Sequence, residues 1–117
     1  MYPDGYINEM DTLLHALGDE NRRTMLDTLR LGPATVGQLA DRLPIARPGV
    51  SRHLRVLREA GLVEAHYESQ WRVYSLRPEP LAELEAWLGE YRSLWEQRLE
   101  ALHTEIDRGK NNQGSTS

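Results

Sequence analysis

The chain is 117 residues long, room for one domain with a modest core, and its 18 acids against 14 bases leave a net charge of −4. It has no cysteine, which excludes disulfides, thiolate metal sites and thiol redox sensing. No apolar run approaches the ~20 residues of a membrane span and the N-terminus lacks the apolar stretch of a signal peptide, so a soluble cytoplasmic protein is expected.

Residues 1–8 read as an irregular arm in which Tyr6 and Ile7 have the character of docking residues. A first helix follows over about 9–17, with Met10, Leu13, Leu14 and Leu17 on one face. Gly18 ends it and Asp19 is a good N-cap for the next. That second helix spans about 20–31, with Met25, Leu26 and Leu29 as its core face. Arg22 and Arg23 lie in its first turn, where the helix dipole disfavours cations, so each needs a partner, an acid or a DNA phosphate. Gly32-Pro33 closes the helix.

Thr35 and Gln38 form a capping box that opens a short helix reaching Leu43, with Val36, Leu39, Ala40 and Leu43 inward. Pro44 stops it, and only three or four residues separate it from the next. That next helix, 47–60, has Val50, Leu54 and Leu57 at helical spacing on one side and Arg47, Ser51, Arg52, Arg55 and Arg58 mostly on the other. Residues 42–58 hold five arginines and no acid. Two short helices with a tight connection make a helix-turn-helix, and the arginine-rich face suits a DNA major groove. The net acidity does not oppose this, because the charge is segregated: residues 79–107 carry eight acids against two bases.

Gly61 ends the reading helix as a C′ glycine. Residues 62–76 alternate aromatic and β-branched positions about a polar tip, Glu68-Ser69-Gln70, and read as a two-stranded wing. Pro78 and Pro80 mark the start of a long helix, about 80–107. Along it Leu84, Leu88, Tyr91, Trp95, Leu99, Leu102 and Ile106 make a sustained apolar stripe, widened by Trp87 and Leu94. A chain this small cannot easily cover that face alone, which argues for a homodimer joined by the first and last helices. Residues 108–117 are expected to be a disordered tail. The fold class is mainly α with a small hairpin, a winged helix-turn-helix in the order α-α-α-α-β-β-α.

Three stretches resemble the ArsR/SmtB family of bacterial transcriptional repressors. They are Ala16-Leu17-Gly18-Asp19-Glu20-Asn21-Arg22-Arg23, then Thr35-Val36-Gly37-Gln38-Leu39-Ala40, and most specifically Val50-Ser51-Arg52-His53-Leu54-Arg55-Val56-Leu57-Arg58-Glu59-Ala60-Gly61-Leu62-Val63. The resemblance covers about residues 10–105. It implies a homodimer on a palindromic operator, with repression relieved by a signal. It also implies base-edge contacts from Arg47, Pro48, Ser51 and Arg52, backbone contacts near Val36 and Gln38, and a wing contact from Arg72. Arg55 and Arg58 point toward flanking phosphates, and His53, at the edge of the apolar stripe, suits packing or a phosphate. The chain departs from the family at Ala46, where Ser or Thr usually caps the reading helix, at Gly49 in place of alanine, and at the wing tip, which is less basic than usual.

No metal, cofactor or catalytic site is expected. The family's metal sensors use cysteines in the helix-turn-helix, or an Asp-x-His with a more distal His-x-x-Glu/His on the last helix. Here residues 35–43 hold no thiol, and the position three after His103 is Ile106. A non-standard site from Glu100, His103 and Asp107 with His15 is one alternative. A winged-helix protein-interaction module with weak DNA binding is another, favoured by Glu68 and the overall acidity. Tyr6, Trp87, Tyr91 and Trp95 are the aromatics a small-molecule effector would draw on, but at helical spacing they read as core. The effector, whether small molecule or protein, is not named by the sequence. Glu83, Glu85, Glu96 and Glu100 are helix-surface charges rather than catalytic pairs.

Overall fold

The computed structural model describes residues 8–115, with side chains described for residues 8–109, so the expectations for Tyr6 and Ile7 lie outside the described residues. In chain order the elements are α1 (Glu9–Leu17), α2 (Glu20–Arg30), α3 (Val36–Ala40), α4 (Arg47–Glu59), β1 (Val63–Glu68), β2 (Trp71–Leu76) and α5 (Glu79–Ser115). This is a mainly helical winged helix-turn-helix. No described helix is long and apolar enough to cross a membrane.

The chain divides into two compact units, residues 1–83 and 84–117. The first holds the core: Leu13, Ala16, Met25, Leu29, Leu39, Val50, Leu54, Leu57, Leu62 and Val63 are almost wholly shielded from water. Most of these are the helical i, i+3, i+4 positions of α1, α2 and α4, which turns three amphipathic stripes toward one centre. β1 and β2 pair antiparallel from Val63 opposite Leu76 to Glu68 opposite Trp71. Ser69 and Gln70 form the two-residue turn, with Ser69 in the left-handed region at φ 58°. On its other side β2 meets Ala34, whose N–H and C=O both bond to Tyr74. The second unit is the remainder of α5.

Local chemistry sets the helix starts. The Asn8 side chain accepts from the Met10 N–H, and the Asp19 carboxylate accepts from the Arg22 N–H at 3.1 Å. The Arg22 backbone bond, helped by the nearby His53 and Arg22 side chains, holds the Asp19 carboxyl below the usual carboxylate value. A depressed pKa means the ionised cap stabilises the fold above the ordinary carboxylate range and loses that contribution as pH falls through the lowered value. Asp19→Ala is therefore expected to cost about 1 kcal/mol at neutral pH in urea unfolding. The gap to the wild type should narrow in strong acid.

Three expectations need correction. The helix-turn-helix connection is longer than anticipated, because α3 ends at Ala40 rather than Leu43. Pro44 disfavours helical geometry at Leu43, and the chain tightens into i→i−3 bonds, Arg42 N–H to Leu39 and Leu43 N–H to Ala40. The backbone of α5 stays helical to Ser115, beyond the expected end near 107. No proline interrupts residues 108–115, although Gly109, Asn111, Asn112 and Gly114 are weak helix formers. Leu13, assigned to a dimer interface, is 2% exposed and belongs to the core of its own unit. On α1 it shares a strip with Ala16, while Leu14 one position on is 42% exposed; Met10 and Leu17 are half-buried.

Candidate nucleic-acid interface

α4 is amphipathic in the strict sense. Val50, Leu54 and Leu57 are at most 1% exposed. At 100° per residue, Pro48, Arg52 and Arg55 fall opposite that strip, with Ser51, Arg58 and Arg47 along one shoulder. All six are exposed. The long, charged side chains thus stand on a helix whose back is locked into the core. Glu59, also exposed, places one carboxylate at the C-terminal end of the same face, an anion the arginine count overlooked.

The first turn of α4 has no side-chain cap: Ala46 occupies the N-cap position without a side-chain bond, and Pro48 supplies the pre-set φ. A Cβ on Gly49 would meet the Ile45 side chain at 3.6 Å, an ordinary contact. Gly49→Ala should consequently raise stability by up to about 1 kcal/mol, read as a higher melting temperature. A drop would mean the first turn needs glycine.

Four of the expected DNA-contacting residues come together beside the wing. Val36, Gln38, Arg47 and Arg72 line one open cleft of about 410 Å³ with Gly37 and the exposed Trp71. The Gln38 side-chain oxygen accepts from the Thr35 N–H, completing the capping box and leaving the amide NH₂ to face outward. Arg72 lies over the Tyr74 ring at 5.3 Å, a cation–π contact that keeps its guanidinium beside the cleft. Arg47 folds back across α3. A Cβ on Gly37 would fall 2.9 Å from Arg47 Nη2, so the missing side chain makes room for the guanidinium. Neither Trp71 nor Gly37 was singled out from sequence. The chance to find Gly37 lay in a glycine placed inside a capped helix.

Arg55 and Arg58 line a separate cleft with Val63, Glu64 and Ala65 of β1. His53 turns the other way. Its side chain is 21% exposed, its Nδ1 lies 3.1 Å from Arg22 Nη1, and its Nε2 lies 3.9 Å from the Asp19 carboxylate. It contacts Arg22 and Asp19 of α2 and shares a groove with Gly49, Arg52 and Val56 of its own helix.

The hydrogen bonds of Arg22 and Arg23 within the chain run mainly to main-chain carbonyls, with the Asp19 carboxylate close enough to feel the Arg22 charge. Arg22 is 9% exposed and donates from Nε to the Ala16 carbonyl at 2.8 Å and from Nη2 to the His15 carbonyl at 2.9 Å. Arg23 donates to the Leu17 carbonyl at 2.7 Å. Both arginines donate to carbonyls in the last turn of α1, the negative end of its dipole, where the His15 carbonyl also accepts from the Gly18 N–H.

On α5, Trp87, Leu88, Tyr91, Leu94, Trp95, Leu99, Leu102 and Ile106 are each at least 38% exposed. Trp87 and Tyr91 make an edge-to-face pair at 5.3 Å. Among the described residues, no group of three or more His, Asp or Glu side chains is gathered closely enough to hold a metal ion, so Glu100, His103 and Asp107 are not assembled into one within the chain.

Residues 17–66 match the family model described as a helix-turn-helix domain. The chain is 46% identical over 74 residues to the HTH-type transcriptional regulator Rv2034 of Mycobacterium tuberculosis, covering 63% of this chain and 69% of that protein. It is 33% identical over 79 residues to the transcriptional repressor SdpR of Bacillus subtilis, covering 68% and 88%. Among solved structures, that of the ArsR family transcriptional regulator RHA00566 superposes with a TM-score of 0.69 at 35% identity, covering 76% of this chain and 98% of that one.

Proposed function

The chain belongs to the ArsR/SmtB family of winged helix-turn-helix proteins and is a DNA-binding transcriptional regulator rather than an enzyme; from this premise we propose that it is a cytoplasmic, homodimeric repressor of a palindromic operator. The observation that carries the proposal is the exposed arginine face of α4 set directly opposite three buried side chains. Each α4 enters one major groove, the two half-sites lying about one helical turn (~34 Å) apart.

Arg52, with Pro48 and Ser51 beside it, reads base edges, a guanidinium matching O6 and N7 of guanine. Arg55 and Arg58 neutralise phosphates on one side of α4, and Arg47, Arg72, Val36 and Gln38 hold the backbone on the other. The exposed apolar strip of α5, with Leu14 and the half-buried Met10 and Leu17 of α1, supplies the dimer interface. Relatives named as repressors, SdpR among them, support the negative sign of regulation.

Selection of bound duplexes from a random pool tests the proposal and should return a palindrome. Affinity for it should fall steeply with salt, the log–log slope reporting the phosphates neutralised. Arg52→Ala is expected to cost about 1–3 kcal/mol and to blur preference at one base pair in each half-site. Binding to the selected palindrome no tighter than to random duplex would defeat the repressor reading.

A further inference from the structure

Arg22 joins three helices that carry different duties. It sits in the first turn of α2, donates twice to the C-terminal carbonyls of α1, and with its remaining nitrogen, Nη1, meets His53 of α4 at 3.1 Å. A guanidinium has donors only, so His53 Nδ1 must accept and the ring must be neutral with its proton on Nε2. That Nε2 faces the Asp19 carboxylate at 3.9 Å. His53 is faced by Arg22 and Asp19 from α2 and shares its groove with Arg52 of its own helix; α1 contributes only main-chain carbonyls, through Arg22.

We propose that Arg22 is a positioning residue for DNA reading: it locks α4 to the end of α1 through a bond to His53 that exists only while the imidazole is neutral. Protonation would set two N–H groups against each other where one donor and one acceptor now meet. The imidazolium would keep Asp19 as its partner and lose Arg22. The recognition helix would then lose its hydrogen-bonded link to the end of α1 and keep only its apolar packing against that helix. The role in DNA reading rests on the function proposed above; the proton-dependent bond does not.

Arg22→Gln is the obvious variant, but it strips the α1 carbonyls of their donors and can fail to fold. His53→Asn and His53→Leu carry the test instead. Asparagine places a neutral acceptor near the position of Nδ1, and leucine fills the space with none. Two-bond proton–nitrogen spectra of the full chain near pH 7.5 should show His53 protonated on Nε2 with Nδ1 unprotonated.

Hydrogen exchange without DNA, corrected for intrinsic rates, should show α4 amide protection falling roughly tenfold in the wild type as the His53 ring, followed by its own nitrogen signals, takes up its second proton. In His53→Asn it should stay level. At pH 7.5, His53→Asn should bind the selected duplex as the wild type does, and His53→Leu roughly tenfold more weakly, with the folded fraction of each measured.

A proton on Nδ1, or the same pH response in wild type and His53→Asn, overturns the bond. Equal binding by His53→Leu overturns the positioning role while leaving the DNA reading intact. Failure of the wild type to select any duplex defeats the DNA reading, and the positioning role with it, while the exchange result still decides the bond.

Discussion

Leu54→Ala is expected to destabilise the protein by about 2–5 kcal/mol, a large part of the roughly 5–15 kcal/mol that holds a domain of this size together. Leu54 is 1% exposed and sits between Val50 and Leu57, both fully buried. Its removal leaves a cavity that three helices cannot close without moving. The same change should weaken DNA binding, because the strip behind α4 is what holds Arg52 and Arg55 outward. Urea unfolding, with Arg55→Ala as the surface control, gives the measurement. A loss for Leu54→Ala no larger than that of the control would mean the strip is loosely packed and does not set the helix.

The second large effect concerns the strip on α5. Trp95 is 60% exposed and Leu99 38%. In the dimer proposed above, a carboxylate at position 95 would lose hydration in an apolar interface without gaining a partner, so Trp95→Glu should give a monomer in sedimentation. Loss of the second reading head should then lower affinity for a palindrome by about 10²–10⁴, since the linked half-site no longer adds its effective concentration. A single half-site duplex should show little of this loss, which separates dissociation from misfolding. An unchanged dimer would place the interface elsewhere.

The helix starts were open to reading because their determinants are local. Asp19 at a cap, the Thr35/Gln38 box and Pro48 act within four residues of where they stand. The apolar spacing of α4 likewise identified the buried strip, since helical period alone sorts its faces. What escaped depends on neighbours distant in sequence. Arg22 looked like a cation in want of an acid or a phosphate, but its partners are carbonyls of the preceding helix, and backbone acceptors carry no residue label.

The placement of Arg47 beside Gly37 of α3 likewise depends on a neighbour ten residues away. Leu13 and Leu14 are alike as letters. Only the packing of α1 within its unit decides that the first is interior and the second is surface. The end of α3 was missed by three residues for a different reason. A proline limits the residue before it, and the tightened turn ahead of Pro44 already departs from α-helical bonding.

Ala34 occupies the outer side of β2 at Tyr74 alone, and among the described residues no strand lies along the outer edge of β1. An open edge is a template for another strand, and a crowded solution of regulators would offer many. Along β1, Glu64, His66 and Glu68 alternate outward and exposed, so a second copy laid against that edge would bring carboxylates into register with carboxylates. Charged side chains along an open edge are a common obstacle to sheet growth between molecules, and Glu64 and Glu68 stand where they would present that obstacle. Replacing Glu64, His66 and Glu68 by threonine would be expected to cost solubility before it cost fold.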